Sequence, residues 1–281
     1  MSDYLVFNLK SLSNNSELVE GCENNQNNQI SSGTCFVTSP LNDTSCEYIY
    51  LVTAAHCVVD REGKPKKVGL IPKRMEGIIS NQKIRTRSDD LIDCQILCCK
   101  YDGDNDVDFA IVKCSRQEFL QKNGFTTEIP CQYFIPKVGE FRETRLNNMI
   151  VGYPSKYKTY RDDRVKGVTF DVLNALMMTF QKRAVFSFGK YLRSEEGSDI
   201  NIFTNTINKG FSGGPSCELS DLPNDETCPN FHGIVTLFDK DGYGSFSVSN
   251  DDFRQAYFKY IDLPSKMDPK IQEMIEEYRN K

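Results

Sequence analysis

The chain has 281 residues, 39 % hydrophobic and 26 % charged, so it is long enough to bury a sizeable core and is globular rather than disordered in composition. A net charge of −5 and a pI near 5.3 argue against a nucleic-acid binder, which carries a basic face. No apolar run approaches the ~18 residues of a membrane-spanning helix, and the first residues lack the basic and apolar blocks of a secretory leader; a cytosolic or virus-encoded protein is expected rather than a secreted one.

In chain order, residues 1–30 are expected to form an N-terminal strand and then a loop, because 24–29 reads NNQNNQ, a composition unable to build a packed core. Strands are predicted at 48–53 (YIYLVT), 94–99 (CQILCC), 109–112 (FAIV), 149–154 (MIVGYP, running into a turn), 184–188 (AVFSF) and 233–238 (GIVTLF), from their β-branched and aromatic content. Val172, Leu176 and Phe180 repeat at helical spacing, which suggests a helical insert over 171–183. Asp251 and Asp252 suit a first helical turn, with Phe253, Tyr257, Tyr260 and Ile261 on one face. Asp268 as N-cap and Pro269 at the next position open a second helix with Ile271, Met274, Ile275 and Tyr278 on its apolar side. Both helices are expected to dock on the body. Short strands joined by turns, without alternating helices, point to an all-β barrel or sandwich.

The eleven cysteines are odd in number, so they cannot all pair within the chain, and reduced thiols are expected in a reducing compartment. Cys94, Cys98, Cys99 and Cys114 are expected to be small buried thiols. Zinc ligation fits them poorly, because neighbouring side chains in a strand point to opposite faces and paired CxxC knuckles are absent. Cys217 and Cys228 are the best disulfide candidates in an oxidising setting. Neither a metal nor a cofactor is expected.

Three segments carry chemistry: LVTAAHC at 51–57, DFAIVK at 108–113 and GFSGGP at 210–215. A serine hydroxyl needs a base to become a nucleophile, and the negative charge that develops in acyl transfer needs backbone N–H groups aimed at it. Ser212, flanked by Gly210, Gly213 and Gly214, fits a tight turn presenting a nucleophile, with the amides of Gly210 and Ser212 as oxyanion donors. His56 follows a β-rich strand and is one of only two histidines; alone it would more often be structural, and beside the serine motif it is the candidate general base. Asp104, Asp106 and Asp108 compete to orient it. Asp108 is preferred because it directly precedes the apolar run 109–112, whereas the other two lie in a polar turn.

These segments, in the order His, Asp, Ser, resemble the trypsin/chymotrypsin-like serine peptidases; subtilisin-like enzymes and α/β-hydrolases place the same groups in other orders. GTCFV at 33–37 and VGYP at 151–154 extend the resemblance, and 206–215 and 242–248 are closer to the high-temperature-requirement branch than to digestive trypsins. The resemblance implies an all-β, chymotrypsin-like fold of two antiparallel six-stranded β-barrels with C-terminal helices. It implies a first barrel over 31–125 with His56 and Asp108, a second over 126–250 with Ser212, and helices over 251–281. It further implies a serine endopeptidase with a peptide or protein substrate, acting through His56, Asp108 and Ser212; oligomeric state is left open.

The departures matter as well. Phe211 stands where digestive enzymes carry an aspartate that pairs with a freed N-terminus, so no switch of that kind is expected. Ser32 occupies the usual position of the disulfide partner of Cys57, and Cys35 lies three residues further on. No PDZ-like domain is expected after the catalytic region. Thr206, six residues before Ser212, sits at the pocket base where trypsins have aspartate, which argues for an uncharged residue before the scissile bond. Thr236, Leu237 and Phe238 would pair with substrate backbone, Gly244 would line the pocket, and His232 is expected to be structural or at the surface. The competing reading is a catalytically inactive protein of this fold that serves as a binding or scaffold module.

Overall fold

The computed structural model describes residues 5–12, 31–41, 44–60, 62–73, 90–102, 107–125, 133–136, 147–153, 184–194, 200–205, 207, 210–218, 230–238, 245–248, 251–260 and 276. The expected helices over 171–183 and from Asp268 onward lie outside these residues, apart from Glu276, as do Thr206, Gly244, Asp104, Asp106 and Cys228.

Six strands close the first barrel: β1 (Val6–Leu12), β2 (Ser31–Val37), β3 (Tyr48–Thr53), β4 (Lys67–Leu70), β5 (Ile92–Asp102) and β6 (Val107–Ser115). Their order is β1-β2-β3-β6-β5-β4, and β1 pairs with β4 to seal it. The N-terminal strand is thus a stave of this barrel. β3 is buried along five of its six residues and β6 along its first six, which explains why both read as continuous apolar runs. β5 is half exposed and is bulged between Ile96 and Cys98, so its pattern is weaker.

After β6 comes α1 (Arg116–Asn123), which the periodicity of the chain does not announce. Its signals are local. The Ser115 hydroxyl accepts from the Glu118 N–H at 3.4 Å, Glu118 pairs with Lys122 at 2.8 Å, and Gly124 at φ 70° ends the helix.

The second barrel consists of β8 (Asn147–Gly152), β9 (Val185–Ser194), β10 (Ile200–Phe203), β11 (Pro215–Glu218), β13 (Gly233–Phe238) and β14 (Ser245–Val248), in the order β10-β14-β13-β11-β8-β9 and closed by β9 on β10. Between the barrels in sequence and beside them in space, β7 (Ile135–Pro136) pairs in parallel with β12 (Asn230–Phe231). All pairings inside both barrels are antiparallel.

A chain of aromatic rings fills the seam. Phe36 of the first barrel meets Phe231 at 4.8 Å and Phe134 at 5.2 Å, and Phe231 meets Phe253 at 5.9 Å. Phe253 belongs to α2 (Asp251–Tyr260) and also touches Phe109 at 5.2 Å, while Tyr257 donates to the Thr38 carbonyl at 3.2 Å. The apolar face expected from Phe253 and Tyr257 is therefore buried against the first barrel and Phe231, as edge-to-face aromatic contacts favour. No helix among the described residues is long and apolar enough to cross a membrane.

Candidate active site

His56 lies in a single helical turn, Ala55–Cys57, that follows β3 directly. Ala54 and Ala55 are fully buried beneath it, so their small side chains let the turn press against the barrel. Asp108 enters from the start of β6 and is 8 % exposed. Its two oxygens have separate tasks. Oδ1 accepts from the His56 backbone N–H at 3.0 Å, and Oδ2 accepts from Nδ1 at 2.6 Å. This double contact fixes the ring plane and makes Nδ1 the protonated nitrogen, leaving Nε2 with a lone pair. Neither Asp104 nor Asp106 is needed for this arrangement.

Burial of the imidazole opposes its positive charge. The hydrogen bond and charge of the Asp108 carboxylate oppose that and favour the protonated ring, so the proton affinity of His56 lies above the ordinary histidine value. Water meets 37 % of the histidine side chain and screens the Asp108 charge.

Ser212 stands on the tight turn between the strand ends of the second barrel. Gly210 at φ 101° and Gly213 at φ 86° take backbone conformations that side-chain-bearing residues rarely adopt. A methyl on Gly213 would overlap the Thr34 carbonyl, the Thr53 hydroxyl and the Ala54 N–H. The turn is held by Gly213 N–H on the Val235 carbonyl (2.6 Å), Gly214 N–H on Phe211 (2.8 Å) and Val235 N–H on Gly214 (2.9 Å). In a trans peptide the carbonyl and the next N–H point opposite ways, so seating the Phe211 carbonyl on Gly214 fixes the direction of the Ser212 N–H.

Phe211 is 2 % exposed and packs with Ile150, Ile207 and Val235. Its ring lies on Gly152, where a methyl would come within 2.6 Å of it. An apolar anchor thus seats the residue next to Ser212.

The serine turn and the histidine turn are in contact. The Cys57 thiol reaches the Ser212 carbonyl at 3.7 Å, and Gly33 leaves room for that sulfur, since a methyl there would come within 2.6 Å of it. The Thr34 N–H also donates to the Ser212 carbonyl, at 2.8 Å. Cys35 turns away and donates to the Phe7 carbonyl at 3.7 Å, so the two thiols have different partners. Cys35, Cys57, Cys94, Cys98, Cys99 and Cys114 form no disulfide, and no three metal-ligating side chains cluster among the described residues.

Of the residues expected to hold substrate, Thr236 is 4 % exposed on β13, which also carries Leu237 and Phe238. His232 is buried. It hydrogen-bonds the Ser216 hydroxyl through Nε2 at 3.1 Å and leans on Phe203, as part of a polar network with Asn148 and Asn205 inside the second barrel.

No protein-family model matches the chain, and no curated protein matches it by sequence. Solved structures do resemble it. The thermostable serine protease AL20 from an extremophilic microorganism superposes with TM-score 0.55 at 13 % identity, over 92 % of this chain and 96 % of that one. The protease Anisep from Arthrobacter nicotinovorans gives 0.55 at 10 % identity over 90 % and 94 %, and a Glu endopeptidase gives 0.50 at 13 % over 90 % and 88 %. At this identity the likeness speaks for the fold: two closed antiparallel barrels meeting at a seam, in the trypsin/chymotrypsin-like architecture of serine proteases.

Proposed function

We propose that the chain is a serine endopeptidase. The observation that carries this reading is the seam itself, where Asp108 grips His56 through two hydrogen bonds and the next residue, Cys57, touches the carbonyl of Ser212. Ser212 Oγ attacks the scissile carbonyl while His56 Nε2 takes its proton. Asp108 holds the ring and stabilises the imidazolium that forms. The amides of Gly210 and Ser212 receive the developing oxyanion. His56 then returns the proton to the leaving amine, and water repeats the sequence on the acyl-enzyme.

Thr206 in place of a carboxylate supports an uncharged residue before the scissile bond. The substrate backbone adds to β13 at Thr236, Leu237 and Phe238, with Gly244 lining the pocket. A peptide or protein is the substrate class, and the chemistry asks for no cofactor.

The test is labelling by a fluorophosphonate, read by mass spectrometry. The expected result is a covalent adduct on Ser212 that disappears in Ser212→Ala and His56→Ala. A folded wild-type protein that takes up no probe would reject the reading in favour of an inactive module that binds without cleaving.

A further inference from the structure

We infer that Thr34 is a positioning residue for the oxyanion loop, acting from the opposite barrel. The inference rests on the serine-peptidase reading and assigns the loop's order to one hydroxyl. Thr34 is fully buried on β2, in the first barrel. Its Oγ1 donates to the Gly210 carbonyl at 2.6 Å and accepts from the Tyr153 N–H at 2.9 Å. Both capacities of the hydroxyl are thereby directed, and it joins two separate segments of the second barrel. The main chain of Thr34 adds two more contacts. Its N–H holds the Ser212 carbonyl at 2.8 Å, and its carbonyl accepts from the Thr53 hydroxyl at 2.7 Å.

The consequence for Gly210 is geometric. Gly210 is a glycine at positive φ, and its N–H is the proposed oxyanion donor. Glycine at φ 101° can leave that conformation at little steric cost. Pinning its carbonyl fixes the plane of the Gly210–Phe211 peptide and with it the Gly210 α-carbon, so the preceding N–H keeps only the rotations about that one anchored atom. The Tyr153 contact fixes the hydroxyl in turn, beside Gly152 where the Phe211 ring rests. The α-carbon from which the Gly210 amide extends is thus anchored by a bond from the barrel that also carries His56. Thr34 touches neither substrate nor the reacting atoms.

Thr34→Val keeps the shape and removes the hydroxyl; Thr34→Ser keeps the hydroxyl. With a peptide amide substrate, kcat is expected to fall about tenfold or more in Thr34→Val with KM within about twofold, a fraction of the 10²–10³ lost when an oxyanion donor is deleted outright. The fluorophosphonate labelling rate should fall in parallel, and Thr34→Ser should restore both. If the valine variant does not fold, Thr34→Cys, a weak donor of similar size, should fall between serine and wild-type on one side and complete loss on the other. A folded Thr34→Val with wild-type kcat, or a Thr34→Ser as impaired as valine, overturns this inference alone. A wild-type protein that neither labels nor cleaves overturns the peptidase reading and this inference with it.

Discussion

At the scale of single residues, the informative pair is His56 and Asp108. Asp108 reaches both the backbone and the ring of His56, and it raises the proton affinity of the ring against the pull of burial. A base must be neutral to act, so kcat/KM is expected to rise with pH along a limb above the ordinary histidine value of 6.5. In Asp108→Asn that limb should move to lower pH, because the charge that favours the imidazolium is gone, while the plateau falls on the order of 10³–10⁴-fold through loss of ring orientation. Stability carries the same sign. A histidine raised above its ordinary 6.5 on folding stabilises the fold fully below pH 6.5, and that contribution fades as pH climbs through the raised value. The gap in unfolding free energy between wild type and Asp108→Asn should therefore narrow across that window in urea titrations. A pH-independent gap, with the activity limb unmoved, would mean that the pair does not couple as drawn.

At the scale of elements, the serine turn is defined by what it excludes. Gly213 has no room for a methyl, and the groups in the way are the Thr34 and Ala54 backbone and a hydroxyl already hydrogen-bonded. Gly213→Ala should push the turn off β2 and β3, costing about 2–4 kcal/mol in denaturant unfolding together with nearly all labelling of Ser212. A variant with wild-type stability would show that the turn has slack. Much of this region was legible in the sequence: the fully buried strands announced themselves as unbroken apolar runs, and the glycines around Ser212 marked a turn. Other parts were not. α1 is specified by Ser115, Glu118 and Gly124 rather than by any apolar stripe. Thr34 lay inside a recognised strand motif, yet nothing local marks a threonine whose partners are 119 and 176 residues away.

At the scale of the whole molecule, the site exists only where the barrels meet. Tyr153 leads out of β8 in the second barrel, donates its hydroxyl to the Val6 carbonyl in the first at 3.0 Å, and also receives the Lys73 ammonium. Tyr153→Phe removes both contacts from a fully buried side chain and should cost about 1–3 kcal/mol. The loss falls on docking rather than on either barrel. Labelling of Ser212 should therefore cease several degrees below the melt of β-structure followed by circular dichroism, at about 2–4 °C per kcal/mol. Coincident curves in wild type and variant would show one cooperative unit with no weaker seam.

The buried ring of Phe211 has a further consequence. A loop seated by a carboxylate on an ammonium loosens as ions screen the pair and as either partner titrates. A loop seated by an aromatic ring against Gly152, Ile150 and Val235 has no charge to screen and no proton to lose. Excluded salts such as sulfate should tighten it, since they strengthen apolar burial. Charge screening therefore does not loosen the serine turn, and agents that weaken apolar burial, such as urea, are the ones that would.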